Sequence, residues 1–429
     1  MDEATSIVVD HAGNVYAAGY CEQLATGRDL AVVSLNSSGN YRWRYLYNGP
    51  GNDVDAASCI TLDKDEKNVY VGGYSTGAGT MLDFTVIGLD TSGKEKWVFR
   101  RNGTDNQWDE VMGIVCDSTS VYASGYTRNT GKNMDFTVAR IDTTGQERWV
   151  YNHNGPVNDW DKSYDLALDK NGNVYAAGYS RQGSAPRDWT VIKVDRTGNS
   201  PWQFFYKGNA HYDDWALRIL LDEGGNVYST GATSGQGTGF DMSLVKLDSL
   251  GKKLWVYDYN GPANSDDEGK DLAIDEKENL YVAGYSTGVN LGFTIASVDS
   301  AGKERWVYRY TGEGIAWDVA ADGAGSVYSC GTTKGDIASA LTVIKLKTDQ
   351  PHGILEKPES AEESRIPGII AGGGISFKVP VEIFDHTGRL VLSSNDNSSV
   401  AVNKLSAGVY FIKMKERNRT QWKKVVVLK

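Results

Sequence analysis

One short unit recurs seven times along this chain. Its anchor is Val-Tyr, once Leu-Tyr, with the tyrosines at Tyr16, Tyr70, Tyr122, Tyr175, Tyr228, Tyr281 and Tyr328, spaced by 54, 52, 53, 53, 53 and 47 residues. A second anchor keeps step with it: Trp43, Trp97, Trp149, Trp202, Trp255 and Trp306. A fixed period demands a unit that stacks on copies of itself. A period of about 50 residues, made of short β-rich runs, has the length of one four-stranded propeller blade.

Residues 161–208 show the unit in full. DKSYDLALD (161–169) alternates and predicts a strand. Lys170-Asn171-Gly172-Asn173 is a turn, and NVYAAGY (173–179) is a second strand. A polar loop runs to Arg187, DWTVIKVD (188–195) is the third strand, and Arg196-Thr197-Gly198-Asn199 turns into PWQFFYKG (201–208), the fourth. The connections have hairpin length and hairpin residues. The third strand is apolar on both faces: DFTVIGLD (83–90) has Phe84 and Val86 on one side, Thr85, Ile87 and Leu89 on the other. Both faces must then be covered, as they are in a blade wedged between two neighbours.

The strongest local motif is Asp/Asn-x-x-Gly-x-x-x-Trp. It reads Asn36/Gly39/Trp43, Asp90/Gly93/Trp97, Asp142/Gly145/Trp149, Asp195/Gly198/Trp202, Asp248/Gly251/Trp255 and Asp299/Gly302/Trp306. The acidic or amide side chain opens the turn by bonding its own backbone, and Gly takes the left-handed position. The Trp falls on the outer strand, where a flat ring lies against the next blade. Recurrence in the same place favours blade docking over ligand stacking for all six.

GNVYAAGY, DWTVIKVD, the turn and its Trp together resemble the SBBP-type, quinoprotein-like β-propeller repeats of bacterial extracellular proteins. The resemblance spans residues 1–347 and implies an all-β, seven-bladed propeller. It says little about activity, because such propellers host many functions. The seventh repeat stops early: TVIKLK (342–347) is not followed by Gly-x-x-x-Trp, while the first repeat opens at its inner strand, EATSIVVD. The last blade is therefore expected to lack its outer strand. The opening residues MDEATSIVVDHAGNVYAAGY have neither the basic nor the apolar segment of a signal peptide. An N-terminus truncated upstream of Met1 would account for both features.

Residues 348–367 carry Pro351, Pro358 and Pro367 and read as a linker. Beyond them VPVEIFDHTGRLVLSS (379–394), VNKLSAGVYFIKMK (402–415) and WKKVVVLK (422–429) alternate as strands. This series resembles the C-terminal sorting domain of the type IX secretion system. The resemblance implies an immunoglobulin-like β-sandwich over 368–429 that engages the secretion machinery. It also implies an extracellular or cell-surface location.

Composition excludes several classes. The net charge is −11, from 55 acidic and 44 basic residues, with no basic stripe, so nucleic acid is not an expected partner. No apolar run reaches the length of a transmembrane helix. Cys21, Cys59, Cys116 and Cys330 do not recur at one repeat position, so neither a disulfide framework nor a zinc site is expected. His11, His153, His211, His352 and His386 share no ligand spacing, and no catalytic motif of the Ser-His-Asp, H-E-x-x-H or P-loop type occurs.

One repeated polar feature has functional promise. Asp2, Asp55, Asp109, Asp161, Asp214 and Asp267 each stand eight residues before a second Asp, and Gly314 takes this place in the seventh repeat. The first Asp of each pair opens the innermost strand, which puts a carboxylate ring at one mouth of the propeller channel. Trp108, Trp160, Tyr212, Trp215 and Trp317 flank it. Aromatic faces beside carboxylates suit sugars, and clustered carboxylates could supply oxygen ligands to Ca²⁺; apart from that no cofactor is expected. The structural reading is that each Asp caps backbone N–H groups of the adjacent loop. The second Asp of each pair precedes a Gly/Asn turn and belongs to that turn.

The expected function is a secreted or surface-attached propeller that binds a glycan or protein partner without catalysis. A polysaccharide hydrolase or lyase is one alternative, since carboxylate pairs abound. A scaffold in envelope assembly is another. The near-constant repeat length argues against an enzyme, because propeller enzymes usually break symmetry with inserted loops.

Overall fold

The computed structural model describes residues 2–131, 133–183, 186–310, 312–334 and 339–348. Beyond these it describes the strands 370–371, 375–376, 381–385, 390–394, 399–400, 408–416 and 419–428. The described residues are all-β, and their first seven sheets are the blades of a propeller. Six are four-stranded antiparallel meanders and the seventh has three strands. Blade four runs through Lys162–Leu168, Val174–Ser180, Asp188–Val194 and Trp202–Tyr206. Blade seven has Gly314–Asp322, Ser326–Lys334 and Ser339–Lys347.

Register explains the two sequence anchors. In blade one Tyr16 faces Ser34 on the third strand, and Ser34 faces Trp43 on the fourth. Tyrosine and tryptophan thus share one row across the blade. Their rings meet, with centroids 5.9 Å apart for Tyr16–Trp43 and 6.2 Å for Tyr122–Trp149.

The core lies between blades. Tyr16, Leu30 and Val32 of blade one pack on Ile60, Val71 and Ile87 of blade two. Phe84 and Val86 of blade two meet Val111, Ile114 and Ala139 of blade three. The same contact recurs as far as Phe293, Ile295 and Trp306 on Ala316, Val319 and Val327. This is why both faces of the third strand are apolar: each supplies a different interface.

The innermost strands are Glu3–Val9, Asp55–Leu62, Glu110–Cys116, Lys162–Leu168, Trp215–Leu221, Asp267–Ile274 and Gly314–Asp322. They pack one against the next around the axis, whereas the last and the first make no comparable contact. In the first six blades pairing to the second strand slips by one residue, leaving Thr5, Ser58, Met112, Tyr164, Leu217 and Lys270 as bulges. A bulge in every blade re-aims side chains at the axis end of the sheet.

The chain divides into two compact units, one of residues 1–331 with 343–355, the other of residues 332–342 with 356–429. The second contains a five-stranded sheet ordered Ile370–Ala371, Arg419–Leu428, Gly408–Glu416, Val381–Asp385 and Leu390–Ser394, and a two-stranded sheet of Ile375–Ser376 with Ser399–Val400. The expected linker, apart from Thr348, lies outside the described residues. Among the described residues no helix is long and apolar enough to cross a membrane.

Candidate functional site

Five of the six ring aspartates are each held by two backbone amides, while the exposed Asp2 accepts the Glu22 N–H at 3.0 Å. Asp55 accepts the Gly49 N–H at 2.7 Å on one oxygen and the Thr76 N–H at 2.9 Å on the other. Asp109 accepts from Gly103 and Arg128, Asp161 from Gly155 and Arg181, Asp214 from Gly208 and Ser234, and Asp267 from Gly261 and Thr287. The glycine always lies two residues past the outer strand of the preceding blade. The second donor closes the second strand of the aspartate's own blade. The carboxylate therefore pins the crossover between blades to a loop of the blade it opens. A Cβ on Gly49 would stand 2.6 Å from an Asp55 oxygen, so only glycine brings its amide this close.

All five carboxylates are buried. Burial pushes Asp109 up to about 7 and Asp55 and Asp267 to about 6, against the pull of the two amides. Asp161 and Asp214 are raised for the same reason. The geometry of Asp55, Asp109, Asp161, Asp214 and Asp267 matches the reading in which each caps backbone N–H groups of the adjacent loop. A sugar or Ca²⁺ there would have to displace two amide donors and leave them unsatisfied in a closed site. Among the described residues no group of three or more His, Cys, Asp or Glu is placed to hold a metal ion.

The aromatic residues behave differently. Trp108, Trp160 and Tyr212 are exposed on the loops that lead into the inner strands. Trp215 is the first residue of its inner strand. Trp317, which is also exposed, lies inside Gly314–Asp322 rather than on a loop. It stands three residues past Gly314, as Lys270 stands three past Asp267.

Fixed charges accompany these rings. Lys162 Nζ is 4.3 Å from the Tyr126 ring and 5.5 Å from Trp160, while the Arg187 guanidinium is 5.3 Å from Trp160 and 4.8 Å from Tyr179. Lys270 Nζ lies 5.6 Å from Trp317 and 5.7 Å from Tyr285. The Trp215 indole N–H donates to Glu268 at 2.7 Å, and Lys270 pairs with the same carboxylate at 2.6 Å. Glu110 accepts the hydroxyls of Ser58 and Tyr126 at 2.9 and 3.0 Å. This end of the propeller thus combines exposed ring faces with held cations and carboxylates. Such a surface can stack on an apolar face and hydrogen-bond at its edge.

Sequence reasoning passed over Glu110, Lys162, Glu268, Lys270 and Arg187. A signal for the first three was present. The residue after each ring aspartate is Glu3, Ala56, Glu110, Lys162, Trp215 and Glu268, a position that varies inside an otherwise uniform repeat.

Deeper along the inner strands sits a second charged group. Asp165 accepts the Ile219 N–H at 3.0 Å, Asp271 accepts the Val319 N–H at 2.8 Å, and Arg218 pairs with Asp271 at 3.2 Å. Desolvation lifts Asp271 to about 7, with Arg218 opposing and Asp318 adding to the rise.

Residues 259–292 match the β-propeller repeat family SBBP, and residues 374–428 match the secretion system C-terminal sorting domain. One blade of the propeller thus carries an SBBP repeat, and the tail carries a secretion-system sorting domain. The stretch matched to the SBBP repeat contains Asp267, Lys270, Asp271 and the anchor Tyr281. No curated protein matches the chain. Among solved structures, the chain is similar to a quinohemoprotein alcohol dehydrogenase from Pseudomonas putida HK5. That match has 11% identity and a TM-score of 0.40 over 86% of this chain and 78% of that one. It is also similar to a eukaryotic initiation factor, with 13% identity and a TM-score of 0.41 over 99% and 90% of the two chains.

Proposed function

We propose that this exported propeller is a non-catalytic glycan-binding protein, with the aromatic end of its blades as the binding face. The observation that carries the reading is the pairing of exposed tryptophans with fixed cations, above all Trp160 beside Lys162 and Arg187. A sugar ring stacks on an indole and takes hydrogen bonds from charges held at its rim. The ring aspartates serve this face indirectly, by fixing the loops that carry Trp108 and Trp160. The sorting tail accounts for delivery through the secretion machinery, with retention at the cell surface as its proposed consequence.

A glycan array with the purified chain tests the reading, followed by titration of hits into Trp108→Ala and Trp160→Ala. Hits that both variants weaken support it. An array without hits, with capture of one envelope protein that depends on the same tryptophans, would favour a protein partner in a scaffold role.

A hydrolase or lyase reading has one observation in its favour, the raised Asp271 beside Asp318 and Arg218. Turnover of a polysaccharide that Asp271→Asn abolishes would establish it in place of the binding role.

A further inference from the structure

Two lysines stand beside exposed tryptophans at the axis end of the propeller, and they differ in one respect. Lys270 lies 5.6 Å from Trp317, and its charge is met by Glu268 at 2.6 Å. Lys162 lies 5.5 Å from Trp160 and 4.3 Å from the Tyr126 ring. Among the described residues its ammonium has no hydrogen-bond acceptor and no ion-pair partner. Glu110 acts on it only at longer range, and the two Glu110 oxygens each accept a hydroxyl, from Ser58 and from Tyr126.

A second cation is held at the same indole. The Arg187 guanidinium stands 5.3 Å from Trp160 and 4.8 Å from Tyr179. It pairs with Asp213 at 3.6 Å, and the Arg187 backbone N–H donates to the same carboxylate at 2.9 Å, so the side chain and its loop are fixed together. Burial lowers Lys162 below the ordinary lysine value, with Glu110 opposing the fall and Arg187 adding to it. The fold thus keeps two like charges at one ring, one of them half-buried with its N–H donors unused. A partly desolvated ammonium without an acceptor costs free energy that an incoming anionic oxygen would recover.

On the footing of the glycan reading above, we propose that the Trp160 site takes an acidic glycan. The indole carries a sugar ring, and a carboxylate or sulfate on that sugar accepts hydrogen bonds from Lys162, with the Arg187 charge beside it. Charge-assisted bonds of this kind are stronger than those made by a neutral hydroxyl, so preference for the charged sugar is the signature of the site. The chain as a whole carries −11 and repels a polyanion, so retention of one reports a local site and not general attraction.

Affinity electrophoresis of the full 429-residue chain tests this, in gels holding polygalacturonate, its methyl ester, carrageenan or desulfated carrageenan. At least one charged polymer should retard the chain about tenfold more strongly than its uncharged form, as expected for a hydrogen bond to a charged group. Polygalacturonate alone would identify the anion as a carboxylate, carrageenan alone as a sulfate. Lys162→Gln should remove most of the preference and Lys162→Arg should keep it. Lys193→Gln, which takes the same charge from beside Tyr175, should also keep it. Retention by neither charged polymer would overturn the proposal, as would an unchanged preference in Lys162→Gln. Retention by an uncharged polymer that Trp160→Ala abolishes, with no preference for its charged form, would overturn the acidic ligand and keep the glycan face. Retention that Lys162→Gln weakens and Trp160→Ala does not would leave an anion site without a sugar platform, and would overturn the glycan reading and the proposal with it.

Discussion

The indole of Trp43 lies across Gly93 of the next blade, and its N–H donates to the Thr91 carbonyl at 3.0 Å. A Cβ at Gly93 would come within 2.6 Å of the ring, so the residue must be glycine for space as well as for its φ of 86°. The same relation joins Trp97 to Gly145, Trp149 to Gly198, Trp202 to Gly251 and Trp255 to Gly302. One motif therefore does two things. Its glycine receives the previous blade, and its tryptophan four residues later reaches the next.

Removing one of these rings should loosen one interface. Trp306 is buried and packs in the cluster with Val319 and Val327. Trp306→Ala should cost about 3–5 kcal/mol, the range for large aromatic-to-alanine changes in cores. Trp149 is more open, and Trp149→Ala should cost less, about 2 kcal/mol. Chemical denaturation of the two variants beside wild type checks the order. Midpoints unchanged from wild type would mean that the rings are not stabilising contacts.

Stability should depend on pH through two opposed sets of aspartates. Asp109 titrates at about 7 and Asp55 and Asp267 at about 6, above the ordinary 3.8, because they are desolvated. The folded chain then holds protons that the unfolded chain has released. Their contribution is fully present below the unfolded value and is lost as pH rises through 6 to 7. The turn aspartates act the other way. Although desolvation opposes it, hydrogen bonds from Thr144 and Gln146 hold Asp142 at about 2, and similar bonds lower Asp117 and Asp169. Their contribution is present above the unfolded value and is lost as pH falls toward the folded one. The melting temperature should therefore peak at about pH 4 and decline until about pH 7. Asp109→Asn should flatten that decline and cost about 1–3 kcal/mol, because an amide group replaces one acceptor facing a buried N–H. Thermal melts across this range decide, and a wild-type profile that is level from about pH 4 to 7 would contradict the assignment.

The sorting tail makes an export prediction. Deletion of residues 379–429 should leave the purified propeller with an unchanged melting transition. It should abolish appearance of the chain at the cell surface in a host with the matching secretion system. Surface display of the shortened chain at wild-type levels would refute the role given to the tail.

Much of this architecture is legible in the sequence. The paired Tyr and Trp anchors give the blades, and Asp-x-x-Gly-x-x-x-Trp gives their docking partners, because each depends on local turn geometry and on strict repetition. The ring aspartates are legible as caps of the adjacent loop at the start of the inner strands, yet which amides they hold is not. One is an amide six residues upstream that arrives from the neighbouring blade, and spacing alone carries no sign of it. The place of Trp317 inside the strand Gly314–Asp322 is hard to read from sequence because the last repeat is shorter, 47 residues against 53, which blurs the register. Lys162 and Glu268 escaped notice because attention to what repeats hides what varies. Ile7 and Ile60 are the same residue in the same place of the repeat, and only the structure distinguishes the open one from the buried one.

The proposed glycan face is made of exposed tryptophans, with fixed cations beside Trp160 and Trp317. Calorimetric titration of the best glycan from an array tests it most directly. Trp108→Ala and Trp160→Ala should each weaken binding by about 1–3 kcal/mol, the range of interface hot spots, with melting temperatures little changed because both side chains lie on loops outside the packed strands and are partly exposed. Wild-type affinity in both variants would place the site elsewhere and contradict the account.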